Sequence, residues 1–394
     1  MSHSKPQSKS KSQPNLQSKL PNLGTSIFTE MSGLAMQTGA INLSQGFPEF
    51  ETPDFLKKSV SQAIEQGLNQ YSPSNGAPAL LSQIGELIKR QYDCDLDPFK
   101  SITVTSGATE ALFVAFQSLV RPGDEVIVFD PAYDSYQPAV ELAGGKCIHI
   151  PLLAPEYSVD WQLVKQHINT RTRAIVINSP HNPTGTLLSD KDMQTLQNLV
   201  LQNDLYLVSD EVYEFITFDE KRHESVLRYP ELFARSFVIS SFGKTFHCTG
   251  WKMGYCVAPE ALSSEFRKIH QYVTFCSSTP FQTGIAKMLE NDFEHIVQLS
   301  HFYQQKRDVL SNALADSRFK VLPSKGTYFL LLDYTEISDL DDRAFCNWLT
   351  TEIGVAAIPL SPFYQTDPAS RIIRLCFAKN DDTLRQAGKI LCQL

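Results

Sequence analysis

The residues with chemical potential fall in five short segments. Lys244 stands among small and apolar neighbours in Ser240-Ser241-Phe242-Gly243-Lys244-Thr245-Phe246. Desolvation there disfavours the ammonium form and exposes an amine nucleophile. Lys252 follows eight residues later in the same segment, within Thr249-Gly250-Trp251-Lys252. Asp210, in Ser209-Asp210-Glu211-Val212-Tyr213, places a carboxylate directly behind an apolar run, which is costly without a cationic partner or strong donors. Tyr213 is three residues on and can face the same site. Asn182, in Asn178-Ser179-Pro180-His181-Asn182-Pro183-Thr184-Gly185, offers an amide on a loop whose shape two prolines and a glycine restrict. Tyr133, in Asp130-Pro131-Ala132-Tyr133, offers a ring on which a flat ligand can stack. Gly107-Ala108-Thr109 opens a helix, whose free N–H groups and dipole suit a phosphate. Each segment alone also has a plainer reading. These are a surface lysine, a helix cap at Asp210, turn chemistry at Asn182, a packed core tyrosine, and an ordinary strand-to-helix turn at Gly107.

The elements that must position these groups are visible as apolar, β-rich runs. They are Ser101–Val104, Glu125–Phe129, Ala174–Ile177, Leu205–Val208 and Ser236–Ile239, with helix-like segments between several of them. Nearly continuous apolar runs fit strands covered on both faces, so the expected class is α/β with a mostly parallel sheet. Such sheets put their chemistry beyond the strand C-termini, and all five segments lie there. Together they supply a nucleophilic amine, a buried carboxylate, a stacking ring, amide and phenol donors, and a phosphate cradle. That set meets the needs of pyridoxal phosphate, whose aldehyde a lysine captures and whose ring nitrogen an acid keeps protonated. A nicotinamide or P-loop site needs glycine patterns that this chain lacks.

The rest of the chain bounds this reading. Its 394 residues, 42% of them hydrophobic, allow two or three domains with sizeable cores. The formal charge of −8 argues against nucleic acid or an anionic membrane as the main partner, and no apolar stretch is long enough to span a bilayer. Eight cysteines without a C-x-x-C pair speak against zinc, so no metal site is expected, and they suit a reducing cytoplasm. Residues 1–20 carry four lysines and no acid, and read as a flexible tail. From about residue 295 the pattern changes. A long helix over 290–315, a strand over 326–332, a helix near 341–352 and a strand near 371–377 suggest a smaller α+β domain.

The motifs Asn182-Pro183-Thr184-Gly185, Ser209–Tyr213, Ser241–Phe246 and Thr249–Lys252 occur in an order and at spacings that resemble the fold type I pyridoxal-phosphate aminotransferases of class I/II, from about residue 20 to the end. The stretches Ile41–Pro48 and Ile373–Lys379 are similar to those of the bacterial methionine aminotransferase subgroup and, next, of the kynurenine–glutamine transaminases. The resemblance implies a seven-stranded, mostly parallel sheet with helices on both faces. It also implies a flexible tail (1–20), an arm and small-domain segment (21–49), a large cofactor-binding domain (50–290) and a small C-terminal domain (291–394). It further implies that Lys244 holds the cofactor and moves the proton. Asp210 would pair with the ring nitrogen, Tyr213 and Asn182 would donate to the ring oxygen, and Tyr133 would stack on the ring. Gly107, Ala108, Thr109, Ser241 and Lys252 would hold the phosphate. Arg374 would grip the substrate carboxylate with help from Asn182 and Gly46, and Phe28 would line the side-chain pocket. Tyr71, in Asn69-Gln70-Tyr71-Ser72-Pro73, would reach the neighbouring subunit's phosphate, which implies a homodimer with shared sites.

The implied reaction is a ping-pong transfer of an amino group from methionine and aromatic amino acids to a 2-oxo acid. Phe275-Cys276-Ser277-Ser278-Thr279-Pro280 lacks the aromatic–His pair of the kynurenine enzymes, and no second arginine stands ready for an acidic side chain. The same residues also permit β-elimination from cysteine conjugates. A non-catalytic regulator built on this fold is the remaining alternative, and it would ordinarily carry a DNA-binding module that this chain lacks.

Overall fold

A computed structural model describes residues 16–394; most of the expected 1–20 tail lies outside the described residues. After the short β1 (Ile41–Asn42), seven strands form the large sheet: β2 (Ile102–Thr105), β3 (Glu125–Asp130), β4 (Lys146–Pro151), β5 (Thr172–Asn178), β6 (Tyr206–Asp210), β7 (Ser236–Ser241) and β8 (Gly254–Val257). Their order is β2-β8-β7-β6-β5-β3-β4. Every pair from β7 to β4 is parallel, and β8 runs antiparallel to both β7 and β2.

Alternation along these strands buries both faces. Val126, Val128, Val176 and Ile239 join a core with Leu112, Phe116 and Phe266 from the helices Gly107–Leu119 and Glu260–Val273. Ile127, Phe129, Ile175, Ile177 and Leu207 pack on the other face with Met193, Leu196 and Val200 of the helix Asp190–Gln202. This two-sided burial is why the strand runs read as continuously apolar.

Two strands lack the expected signature. β4 is a sheet edge with exposed Lys146 and Pro151, so its apolar content is diluted. β8 follows β7 through only the four-residue helix Phe242–Thr245 and a single turn at Thr249–Trp251, so no long helix announces it.

The C-terminal part forms a second, four-stranded sheet in the order β12-β13-β10-β9, all antiparallel. Its members are β9 (Lys320–Val321), β10 (Phe329–Asp333), β12 (Ile358–Pro359) and β13 (Ile372–Cys376). The helices Glu294–Ala313, Asp342–Trp348 and Asp381–Leu391 accompany it. The strand expected over 326–332 begins only at Phe329, because Thr327 takes a left-handed φ of +66° and turns the chain first. The helix expected near 341–352 changes to a π turn at Leu349–Ile353. The N-terminal segment joins this part of the molecule: β1 pairs in parallel with β11 (Val355–Ala356), and Cys376 N–H donates to the Leu43 carbonyl at 2.8 Å. Among the described residues, no helix is long and apolar enough to cross a membrane. All eight cysteines are free, five of them buried.

Candidate active site

A cavity of about 290 Å³ opens between the C-terminal ends of the large sheet and the β10/β13 sheet. Of the site residues expected from sequence, all but Tyr71 line it. Tyr71 is 81% exposed, with its ring edge-on to Phe275 at 5.1 Å, on the surface of this chain.

Lys244 enters the cavity from the short helix after β7. Burial brings its ammonium down to about 8, and the nearby Lys252 and Arg374 charges push the same way. Nζ donates to the Tyr328 phenol at 2.7 Å, and that phenol donates to the Gly46 carbonyl at 2.7 Å.

Asp210 is the last residue of β6 and is 3% exposed. No helix follows it, so the helix-cap reading does not apply. Oδ2 accepts from Tyr136 Oη at 2.6 Å, and Oδ1 accepts from Val212 N–H at 3.3 Å. Asn178 Nδ2 donates to the Asp210 carbonyl at 2.8 Å, while Asn178 Oδ1 accepts from Asn182 N–H at 2.7 Å. Burial raises the Asp210 carboxyl to about 6, opposed by the Tyr136 bond. Such a carboxylate gains from a cationic N–H brought to it.

Arg374 lies on β13, opposite Leu331 of β10, and is fully buried. Its Nη1 donates to Asn182 Oδ1 at 3.0 Å, and Nη2 to the Ser44 carbonyl at 3.2 Å; Nε has no partner. The guanidinium lies over Phe329 at 3.9 Å, with Phe28 at 5.2 Å and Phe363 at 5.7 Å. Among the described residues no carboxylate forms a salt bridge with it, so a buried cation without a counter-charge lines the cavity. That is the condition in which a bidentate carboxylate is favoured.

At the other end, the helix Gly107–Leu119 starts at the cavity wall. Gly107 has φ +75°, and a Cβ there would lie 3.5 Å from Lys252 Nζ, so the glycine keeps backbone N–H groups and the lysine close to one point. Ser241 and Thr249 line the same end. Tyr133 stands in the wall with its ring edge-on to Tyr136 at 5.6 Å, and Tyr213, 3% exposed, meets Tyr328 edge-on at 5.1 Å.

Two residues that sequence reasoning did not single out also belong to this constellation. Tyr136 closes the wall behind Asp210, and Tyr328 touches Lys244. Tyr136 opens the helix Tyr136–Leu142, three residues after Tyr133, which was a usable signal. Tyr328 sits inside an apolar run and reads as core. No grouping of His, Cys, Asp and Glu suited to a metal ion is found among the described residues.

A family model for aminotransferase class I and II matches residues 38–391. The chain belongs to that family. The methionine aminotransferase of Escherichia coli is 51% identical over 96% of this chain and 98% of its own length. Kynurenine–oxoglutarate transaminase 1 of Mus musculus is 34% identical over 93% of this chain and 94% of its own. Among solved structures, an E. coli protein assigned a methionine aminotransferase function superposes with a TM-score of 0.95 at 50% identity, covering 97% of this chain and 100% of that one. N-Succinyldiaminopimelate aminotransferase of Mycobacterium tuberculosis gives 0.93 at 37% identity, covering 96% and 100%. Class I/II aminotransferases are pyridoxal-phosphate enzymes, and the cavity of this aminotransferase fits such a group. It offers a phosphate cradle at Gly107 and Lys252, a buried carboxylate seeking an N–H, and an amine of lowered basicity.

Proposed function

We propose that this aminotransferase uses pyridoxal 5′-phosphate to move the amino group of methionine, and of aromatic amino acids, to a 2-oxo acid by a ping-pong mechanism. One observation carries the chemistry. A single cavity holds a lysine amine near neutrality, a buried carboxylate and an un-neutralised buried guanidinium. The likeness to the E. coli methionine aminotransferase supports the choice of donor.

In this reading Gly107, Ala108, Thr109, Ser241 and Lys252 hold the phosphate. Tyr133 stacks on the ring, Asp210 takes the ring N–H, and Asn182 and Tyr213 donate to the ring oxygen. When bound, the cofactor would supply an electron sink for the pair left on the substrate α-carbon. Arg374 clamps the substrate carboxylate bidentately, aided by Asn182 and by the backbone at Gly46, which fixes which face of the amino acid meets Lys244. Lys244, freed as a neutral amine, takes the α-proton on Nζ and passes it on within the same half-reaction; in the second half-reaction it would move a proton the opposite way. Phe28, Phe329 and Phe363 keep water from the guanidinium and leave an apolar wall for an uncharged side chain.

The enzyme works as a homodimer in which the partner subunit's Tyr71 completes the phosphate site; the exposure of this ring in the single chain supports that role. Segments 50–290 and 291–394 form the large and small domains, with 21–49 as an arm, which the separate sheets and the β1–β11 pair support. The eight free cysteines suit a cytoplasmic setting.

A kinetic panel of methionine, phenylalanine, tyrosine, histidine and glutamine against several 2-oxo acids tests the reading. Amino-group transfer led by methionine is expected. Release of pyruvate and ammonia from cysteine conjugates, without transfer, would point instead to β-elimination.

A further inference from the structure

Tyr328 is fully buried and held by aromatic neighbours on three sides: Phe329 at 4.9 Å, Tyr213 at 5.1 Å and Tyr303 at 5.7 Å between ring centroids. Its phenol oxygen therefore has a fixed position. Among the described residues, Lys244 Nζ and the Gly46 carbonyl each lie 2.7 Å from that oxygen, and the Tyr213 hydroxyl is a further neighbour that can donate to it. A carbonyl oxygen has no hydrogen to give, so in the bond to Gly46 the phenol must be the donor. A phenol has one hydrogen. With that hydrogen committed to Gly46, the oxygen can only accept from Lys244.

The consequence lies at Lys244. A neutral amine has two hydrogens and one lone pair. A partner able to donate would occupy the lone pair and block the nitrogen as a base. A partner restricted to accepting binds an N–H and leaves the lone pair free. We propose that Tyr328 is a positioning residue for Lys244: locked by Gly46 as an acceptor, it holds the free amine by one N–H and turns the nitrogen lone pair into the cavity.

The proposal rests on Lys244 acting as the proton carrier in the function proposed above. In that step the substrate Cα–H bond breaks and the proton joins the Nζ lone pair. The bound cofactor would take up the electron pair left on Cα. The resulting ammonium still has hydrogens to donate to Tyr328, so the same bond holds nitrogen in both states until the proton is passed on. The other charged groups near Nζ, Asp210, Lys252 and Arg374, act on its basicity; Tyr328 acts on its direction.

The test compares the loaded wild-type enzyme with Tyr328→Phe in a single half-reaction with methionine carrying hydrogen or deuterium at the α-carbon. The expected result is a rate lower by about tenfold or more, a larger hydrogen/deuterium rate ratio, and an amino-acid Kd within about twofold of wild type, since Arg374 is untouched. In the cofactor-free protein, the rate at which Lys244 captures pyridoxal phosphate should fall several-fold, because that attack needs the same lone pair. Incorporation of 3,5-difluorotyrosine at 328 keeps the shape and the Gly46 bond while weakening the oxygen as an acceptor, and should shift both rates the same way by less. A Tyr328→Phe enzyme with wild-type half-reaction rate, isotope ratio and capture rate would overturn the proposal. A wild-type protein that captures no cofactor at Lys244 would overturn the underlying reading and this one with it.

Discussion

The Tyr136 phenol donates to Asp210 Oδ2 at 2.6 Å from the far side of the carboxylate, while Tyr133, three residues earlier in the loop that leads into the helix Tyr136–Leu142, lines the cavity in front. One short segment after β3 therefore serves both faces of the site. A hydrogen bond to a buried carboxylate is worth roughly 1.5–3 kcal/mol, and this one opposes the upward push of burial on Asp210. In Tyr136→Phe the carboxyl should rise further above its value of about 6. The pH dependence of cofactor association with the cofactor-free protein reports it: the acid limb should move up by about one pH unit. An unmoved acid limb would mean that the bond does not tune Asp210.

Asp210 also has a stability signature. Its folded-state carboxyl lies near 6, above the ordinary carboxylate value. Between about pH 4 and 6 the folded cofactor-free protein therefore binds more protons than the unfolded chain, and this group's contribution to stability falls as pH rises. Asp210→Asn removes that dependence. Relative to wild type, the cofactor-free variant should gain about 2 kcal/mol between pH 4 and pH 7.5, read by denaturant unfolding at the two pH values. A gap independent of pH would show that Asp210 is not held neutral by burial.

Arg374 separates stability from binding. It is a fully buried cation with no carboxylate partner among the described residues and an unpartnered Nε. Arg374→Met should leave the melting temperature of the cofactor-free protein at or above wild type, because an uncompensated buried charge is removed. The same change should raise KM for the amino acid about 100-fold, through loss of charged hydrogen bonds to its carboxylate. An unchanged KM would place the carboxylate clamp elsewhere.

Lys244 should react as an amine of unusually low basicity. Its ammonium lies near 8, lowered first by burial. Labelling of Lys244 in the cofactor-free protein with an amine-selective reagent should rise through a midpoint near pH 8, well below that of surface lysines. A midpoint in the ordinary lysine range would contradict the desolvated setting.

Much of this site was legible in the sequence because each chemical residue follows an apolar run directly. Asp210 closes β6, Asn182 follows β5, and Lys244 follows β7 by three residues. The strand end thus marks both the backbone position and the side of the sheet. Tyr328 was not legible, because a tyrosine in Gly326–Leu332 looks the same whether its hydroxyl meets a lysine or fills a core. Its partners, Gly46 and Lys244, lie 282 and 84 residues away in the chain. Tyr136 was ambiguous for a related reason: nothing in Tyr133-Asp134-Ser135-Tyr136 says which ring faces the cavity. The edge strand β4 and the antiparallel β8 escaped because neither keeps the apolar, helix-flanked pattern of the other strands.

The proposed chemistry requires a covalent bond between Lys244 and the aldehyde of pyridoxal phosphate. Incubation of the purified protein with the cofactor, reduction with borohydride and peptide mass analysis tests it most directly. One reduced pyridoxyl-phosphate group per chain is expected, on the peptide containing Lys244, and none in Lys244→Ala. Label on another lysine, or no label in the wild-type protein, would contradict it.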